Sequence, residues 1–196
     1  MRLRDTKKEE LVKTEAGKLI VEEGLKGFSM QKLAKRCNIS VATLYIYYKD
    51  QDDLITSIGV EAAKRFTDET LRDFSPEMSF SEGLKIQWKN RARYALNFRQ
   101  EMQLYEILRH SPFSDVVLGT ATMAFKDVMK SFIKKAIANN ELVPVTIEVY
   151  WCVAFGPLYN LIKFHVEKKS IGDRDFQLTD EALESALQLV LKALKP

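Results

Sequence analysis

The chain contains few of the residues that interrupt regular structure or bind metals: five prolines, eight glycines, two cysteines and two histidines among 196 residues. A many-stranded sheet needs turn residues at short intervals, so scarce proline and glycine favour long helices. We therefore expect an all-α protein of about nine helices. Cys37 and Cys152 lie in separate helical patterns and no signal peptide precedes the first predicted helix, which indicates a reducing, cytoplasmic setting.

The motifs of common enzymes and metal sites are also missing. The sequence has no glycine-rich phosphate loop, no G-x-S-x-G elbow and no H-E-x-x-H. His110 and His165 are not spaced with cysteines or carboxylates as metal ligands are. We expect no catalytic residue, no cofactor and no metal site.

Positive charge is concentrated at the N-terminal end of the chain. Residues 1–51 hold 11 Lys/Arg against 7 Asp/Glu, whereas the remainder is close to neutral. A basic module joined to a near-neutral body suggests that only the first part meets a polyanion such as DNA.

The segment from Phe28 to Leu54 contains two short helical patterns separated by a tight turn. Ser29 and Ser40 stand where N-caps belong, and Asn38 tolerates the left-handed conformation of a sharp helix stop. The first pattern has an apolar stripe at helical spacing, and the second, residues 41–48, is too short to be stable without packing. This arrangement predicts a helix-turn-helix, with an apolar stripe formed by Met30, Leu33, Ala34 and Cys37.

The side chains of this segment suit a DNA surface. In the second short helix, Leu44 and Tyr48 are expected to pack inward, which leaves Ala42, Thr43, Ile46 and Tyr47 available. Hydroxyl, amide and phenol groups bond phosphate oxygens, while Gln31 can contact an adenine edge and Thr43 a thymine methyl. That helix has no arginine, so specificity should depend less on guanine than is common, with lysines supplying salt-sensitive affinity.

Other helices follow from apolar spacing and from breaks near residues 75–76, 111–112, 139–140 and 169–175. A first helix starts near Asp5 or Thr6 and ends at Gly24, and Asp50 can cap a fourth. A seventh should cover Asp115 to Ala138, an eighth should start with Pro144 in its first turn and reach about Val166, and a ninth should run from Thr179 or Asp180 to Leu194. Residues on one helical face are Leu11, Val12, Ala16, Leu19 and Ile20 in the first helix and Phe80, Leu84, Trp88, Arg91 and Ala95 in the fifth. The fourth helix has a core-facing stripe of Leu54, Ile55, Ile58, Ala62 and Phe66.

The most apolar stretch, residues 149–162, falls short of the roughly 20 residues that a membrane span needs. A helix that is apolar nearly all round needs burial on more than one side, and a monomer of this size provides one such side for a peripheral helix. We therefore predict a homodimer through the last two helices.

The block from Gly24 to Leu54, G-x-x-x-F-S-M-x-x-L-A-x-x-C-N-I-S-x-A-T-L-Y-x-Y-Y-K-D-x-x-D-L, resembles the N-terminal DNA-binding domain of the TetR family of bacterial transcriptional regulators. The resemblance implies a homodimeric repressor with a DNA-binding domain at residues 1–51 and an inducer-binding and dimerisation domain at residues 52–196. It departs from the family at Asn38, usually a small residue or glycine, and at Gln51, usually lysine. At Gln51 the alternatives are that Lys49 supplies the phosphate contact or that the contact is weaker. The predicted DNA-binding residues are Ser29, Gln31, Lys32, Val41, Ala42, Thr43, Tyr45, Tyr47, Lys49 and Gln51.

The body has more aromatic and methionine side chains than a small helical core needs, and such residues can line a cavity for an apolar or aromatic effector. For any single residue a filled core is the commoner explanation. The predicted effector contacts are Trp88, Arg91, Phe98, Met123, Trp151, Phe155 and Asn160. The sequence thus predicts a repressor of a palindromic operator that a small molecule releases, and the alternative is a DNA-organising or partner-recruiting protein on the same scaffold without a pocket.

Overall fold

A computed structural model describes residues 6–196, apart from the side chains of residues 120–122 and 124. Over this range the chain forms nine α-helices, one short 3-10 segment and an isolated bridge between Lys169 and Asp175, with no strand. The expected all-α fold is therefore confirmed. The helices are α1 (Thr6–Gly27), α2 (Met30–Arg36), α3 (Val41–Tyr47), α4 (Gln51–Thr70), α5 (Phe80–Asn97), α6 (Arg99–Arg109), α7 (Ser114–Ala138), α8 (Ile147–Glu167) and α9 (Asp180–Leu194).

The chain divides into two compact units. The first comprises the chain up to Thr67 together with Arg99–Met123, and the second comprises Asp68–Phe98 together with Ala124–Pro196. Helices α4 and α7 each begin in the first unit and end in the second. The first unit thus extends past the boundary expected at residue 51, and the division of function at that residue stays a prediction.

Helix α1 forms the longest element of the first unit and differs from expectation in three details. Asp5 lies outside the described residues, and the helix begins at Thr6. Gly24 adopts φ 70°, a left-handed conformation that suits glycine, but helical structure resumes and continues to Gly27. Leu11, on the apolar face predicted for α1, is 44% exposed, whereas the other residues of that face are buried: Val12, Ala16, Leu19 and Ile20.

Helix α4 begins as the sequence predicts. Asp50 Oδ1 accepts a hydrogen bond from Asp53 N at 2.8 Å, which caps the first turn. Its apolar stripe is buried, and Phe66 stacks on Tyr105 of α6 with ring centroids 4.5 Å apart. The residues of that stripe are Leu54, Ile55, Ile58, Ala62 and Phe66.

In the second unit, α5 packs against α8 and α9, and α8 packs against α9. Ser79 and Glu82 form a capping box at the start of α5, where Ser79 Oγ accepts from Glu82 N and Glu82 Oε2 accepts from Ser79 N. The face of α5 predicted to be apolar is buried along its length, including the charged Arg91.

Helix α8 starts later than the sequence suggests. Thr146 is its N-cap, with Oγ1 accepting from Val149 N at 3.4 Å, so the expected place of Pro144 in the first turn is wrong. Helix α9 begins at Asp180 after the N-cap Thr179, as expected. Within residues 6–196, no helix combines the length and apolar character that crossing a membrane requires.

Candidate nucleic-acid interface and effector site

Helices α2 and α3 form the predicted helix-turn-helix. Ser29 Oγ accepts from Lys32 N at 3.3 Å, and Ser40 Oγ accepts from Thr43 N at 3.2 Å, so each short helix has the side-chain cap expected from the sequence. Asn38 has φ 54° and allows the sharp turn, while Ile39 N donates to Ala34 O at 3.0 Å. The caps and the turn fix the direction in which α3 leaves α2.

Packing on one side determines which side of α3 faces outward. Leu33 and Ala34 of α2 are buried, as are Leu44 of α3 and Tyr48 at its C-cap. The assignment of Tyr48 to the core is therefore confirmed. On the opposite side, Tyr45 is 53% and Ile46 is 60% exposed.

The predicted DNA-binding residues all lie on the surface of the first unit, and none is buried. Their contacts with DNA stay predictions. The exposed residues are Gln31, Lys32, Ala42, Tyr45 and Lys49, and the half-buried residues are Ser29, Val41, Thr43, Tyr47 and Gln51.

Two of the lysines differ in their surroundings. Lys32 Nζ lies 2.5 Å from Glu23 Oε2 and donates to Gly27 O at 2.8 Å, which ties α2 to the end of α1. The backbone N–H of Lys49 donates to Asp53 Oδ2 at 2.9 Å while its side chain is exposed. Lys49 is thus held by its backbone at the start of α4, next to Gln51.

An ion-pair cluster that was not predicted from the sequence fastens α2 to α1. Arg36 Nε donates to Glu15 Oε2 at 2.6 Å, and its two terminal nitrogens donate to Glu22 at 2.5 and 2.8 Å. Bonding to Arg36 lowers the pKa of Glu22, and bonding first to Lys18 and then to Arg36 lowers the pKa of Glu15. The sequence signal that could have indicated this cluster is the i, i+7 spacing of Glu15 and Glu22, which places both carboxylates on one face of α1.

In the second unit, four of the predicted effector contacts lie where α5 meets α8, and two of them pack against the buried guanidinium of Arg91. The Arg91 guanidinium carbon lies 4.4 Å from the ring centroid of Phe155 and 5.1 Å from that of Trp151. Its Nη1 donates to the Tyr159 hydroxyl at 2.8 Å. On the same face of α5, Trp88 Nε1 donates to Ala154 O at 2.7 Å, so a cationic and aromatic cluster joins α5 to α8.

The cluster also contains groups that were not predicted from the sequence. Gln87 Oε1 accepts from Arg91 Nη2 at 3.3 Å, and the ring centroid of Phe125 lies 5.7 Å from the guanidinium carbon. Gln87 precedes Arg91 by one helical turn, which is a spacing that the sequence displays. Phe125 comes from α7, so only the tertiary structure could place it here.

Three predicted effector contacts lie elsewhere. Phe98 is exposed at the C-cap of α5 and its ring centroid is 5.6 Å from that of Tyr94. Asn160 is exposed, and its Nδ2 donates to Gly156 O within α8 at 3.0 Å. Met123 is an exposed residue at the end of the first unit. Any role of these three residues in effector binding stays a prediction.

Among the described residues, no group of three or more histidines, cysteines, aspartates or glutamates could hold a metal ion. An all-helical chain whose N-terminal part carries a capped helix-turn-helix with an outward-facing second helix has the architecture of a helix-turn-helix transcriptional regulator.

Comparison with known proteins identifies the family. Residues 14–58 match the family of bacterial regulatory proteins named tetR. A relative from Haemophilus influenzae, described as an uncharacterized HTH-type transcriptional regulator, is 25% identical over 205 residues that cover both chains completely. Residues 14–58 therefore form a domain of the tetR family of bacterial regulatory proteins, and the chain is a transcriptional regulator.

Solved structures share the fold over the whole chain. A TetR-family regulator from Marinobacter aquaeolei VT8 has a TM-score of 0.83 at 24% identity, covering 100% of this chain and 99% of that one. The regulator FadR from Bacillus subtilis, solved in complex with stearoyl-CoA, has a TM-score of 0.71 at 16% identity, with 95% and 99% coverage. At these identities the likeness concerns the fold alone.

Proposed function

We propose that the protein is a ligand-responsive repressor, which acts in the cytoplasm and binds a palindromic operator as a homodimer. A small, largely apolar or aromatic molecule bound in the second unit releases it from DNA. The observation that carries this proposal is the helix-turn-helix, whose buried side anchors α3 through Leu44 and Tyr48 and whose other side is left exposed. The proposal includes no enzymatic activity.

The exposed residues divide by chemistry into those that read bases and those that bind the backbone. Gln31 is exposed on α2 and can make two hydrogen bonds to an adenine edge. Lys49 and the hydroxyl groups of Ser29 and Tyr47 can bond phosphate oxygens, which carry no sequence information. Thr43, whose methyl group the sequence predicts to contact a thymine, is half-buried within the cap of α3.

Homodimerisation is supported by apolar side chains that remain exposed on α8 and α9. Ile147 and Val149 of α8 and Leu189 of α9 are large, apolar and exposed. Since α8 packs against α9, these helices can present one apolar surface to a second copy, as the sequence predicts. A two-fold dimer binds only half-sites at a matching separation, and an effector that favours a different separation would weaken binding.

The cluster around Arg91 is the effector site that we propose. Trp88, Trp151 and Phe155 provide apolar and aromatic surface, and Arg91 and Tyr159 provide polar groups that can orient a ligand. FadR, which shares the fold, was solved with stearoyl-CoA, a molecule with a long apolar chain. That complex supports a largely apolar effector for this chain.

A second candidate function has support from the same cluster. Trp88, Arg91 and Phe155 are almost completely buried, and Trp88 already bonds the Ala154 carbonyl, as expected for a filled core. A DNA-organising or partner-recruiting protein without an inducer would have such a core.

Thermal unfolding with a panel of fatty acids, acyl-CoAs and aromatic compounds separates the two candidates. An effector at 100 times its Kd should stabilise the protein by about 2.7 kcal/mol and weaken operator binding. Trp151→Ala should abolish both effects, whereas Phe176→Ala, which removes a half-buried ring that packs on Phe164, should preserve them. A panel without any stabilising compound would favour the second candidate.

A further inference from the structure

Helix α3 lacks the side chains that proteins usually use to distinguish bases. Its seven residues, VATLYIY, include no arginine, lysine, asparagine or glutamine. These four residue types make the bidentate hydrogen bonds that identify guanine and adenine in the major groove. Its polar side-chain groups are three hydroxyls, from Thr43, Tyr45 and Tyr47.

The outward side of α3 is instead apolar. Successive residues of a helix are about 100° apart, so Ala42 and Ile46 share a face that lies opposite the buried Leu44. Ala42, Tyr45 and Ile46 are all exposed and are spaced as neighbours on a helix surface, with Ile46 the most exposed large apolar residue of α3. A single exposed isoleucine is common on protein surfaces, but this one lies among exposed neighbours on the helix proposed to enter the groove.

Charge around α3 favours DNA over a protein partner for this apolar surface. The segment from Phe28 to Lys49 holds four basic residues and no acidic residue. Two of them, Lys32 and Arg36, bond carboxylates of α1, which leaves Lys35 and Lys49 as the basic residues that border α3. Lys35 and Lys49 are exposed on either side of α3 in the sequence. An apolar strip bordered by positive charge fits a groove floor between two phosphate backbones.

The apolar group that a major groove offers is the 5-methyl of thymine. Thr43 also carries a methyl group, but it is half-buried and its hydroxyl lies 2.9 Å from Ser40 Oγ inside the cap of α3. Ile46 has the larger apolar side chain and is the more exposed of the two.

We propose that Ile46 is a specificity-determining residue that contacts a thymine 5-methyl group in each half-site, with Ala42 and Tyr45 completing the apolar surface around it. The inference rests on the proposed sequence-specific binding of DNA. It adds that α3 selects T·A pairs by burying methyl groups rather than by bidentate hydrogen bonds.

The test replaces thymine with 2′-deoxyuridine, which removes the methyl group and keeps every hydrogen-bonding group of the base. Binding sites are first selected from randomised DNA duplexes with the full chain, and each half-site thymine is then replaced in turn. At one position per half-site the replacement should weaken wild-type binding about fourfold, from the transfer free energy of one methyl group. Replacement of thymines outside the half-sites is the control and should change nothing.

Variants then assign the effect to a side chain. Ile46→Ala should bind thymine and deoxyuridine duplexes equally at that position, with an unchanged salt dependence and an unchanged Tm because Ile46 is exposed. Thr43→Ser, which removes the other methyl and keeps the hydroxyl, should retain the fourfold preference.

Three results would overturn the proposal while leaving sequence-specific binding intact. One is a selected site in which no half-site thymine responds to deoxyuridine. The second is that Ile46→Ala still binds the thymine duplex more tightly than the deoxyuridine duplex. The third is that Thr43→Ser loses this preference for thymine. Selection without any enriched sequence would remove the proposed function itself, and this inference with it.

Discussion

Gln31 and Lys49 are exposed residues of the first unit whose side chains suit different parts of DNA. Gln31→Ala should change the preferred base at one operator position and leave other positions as they are, because it removes an amide that reads a base edge. Lys49→Ala should weaken all sequences alike and reduce the salt slope by about 1, because it removes a phosphate contact. Binding measured on the selected site and on its single-base variants, at several salt concentrations, checks both expectations, and equal losses on every sequence for both variants would refute the division.

Trp88 provides a test of the cluster in the second unit. Trp88 is fully buried, and its Nε1 donates a hydrogen bond to the Ala154 carbonyl of α8 at 2.7 Å. Trp88→Phe should therefore destabilise the protein by about 2 kcal/mol, since it removes a buried hydrogen bond and leaves a small cavity. Denaturant unfolding measures this loss, and Phe98→Leu at an exposed position should cost much less. Equal losses for the two variants would show that the bond contributes little.

Side-chain caps and packed faces were the residue-level features that the sequence predicted best. Ser29, Ser40 and Asn38 follow local rules of backbone geometry, and the structure agrees with all three. Leu11 lies on the apolar face predicted from helical spacing but is exposed, because spacing defines a face without saying how much of it the neighbouring helices cover. Phe125 could not be assigned to the Arg91 cluster, because its position depends on how α7 packs.

At the scale of elements, the Arg36 cluster holds α2 against α1 and should make stability depend on pH. The pKa values of Glu15 and Glu22 are lower in the folded protein than their ordinary value of 4.5. The stabilisation is therefore complete above about pH 4.5 and is lost as the pH falls through the lower folded values. Because Arg36 and Glu22 are exposed and Glu15 is half-buried, water screens these ion pairs and we expect a modest effect.

Arg36→Met should reduce this acid dependence. Between about pH 5 and pH 3, the decrease in Tm should be shallower for the variant than for the wild type. Arg65→Met, which breaks the 2.7 Å pair with Glu101 elsewhere in the first unit, is the matched control and should keep the steeper dependence. Identical curves for Arg36→Met and the wild type would show that the cluster does not contribute.

Helix existence was easier to predict than helix limits. Nine helical patterns in the sequence correspond to nine helices over residues 6–196. The predicted start of α8 was wrong because two sequence signals competed. Pro144 suits the first turn of a helix, yet Thr146 provides the side-chain cap that begins α8. Gly24 likewise interrupts α1 without ending it.

At the scale of the whole molecule, the proposed homodimer depends on apolar side chains of α8 and α9. Leu189 is 67% exposed on α9, and Leu189→Glu would place a charge in the proposed interface. The wild type should sediment as a dimer and this variant as a monomer with weaker operator binding. Leu11→Glu, at an exposed apolar position of α1, should remain dimeric. A dimeric Leu189→Glu variant would place the interface elsewhere.

The family resemblance could be predicted from one contiguous motif, because the spacing from Gly24 to Leu54 is a local property of the chain. The all-α fold followed from scarce proline and glycine and from helical spacing. The effector site could be predicted only in part. Trp88 and Arg91 share a face of α5, but their meeting with Trp151 and Phe155 depends on the packing of α5 on α8. Each compact unit combines segments that are distant in the sequence, so contacts between those segments cannot be predicted from local patterns.

The central claim is that a homodimer places its two copies of α3, related by a two-fold axis, in the two halves of one operator. The most direct measurement is the affinity for the selected site after insertion of about 5 base pairs between its half-sites, which moves one half-site to the opposite face of the duplex. The account predicts that affinity falls to that of DNA with a single half-site, because a two-fold dimer binds only half-sites at a matching separation. Unchanged affinity after the half-turn insertion would contradict it.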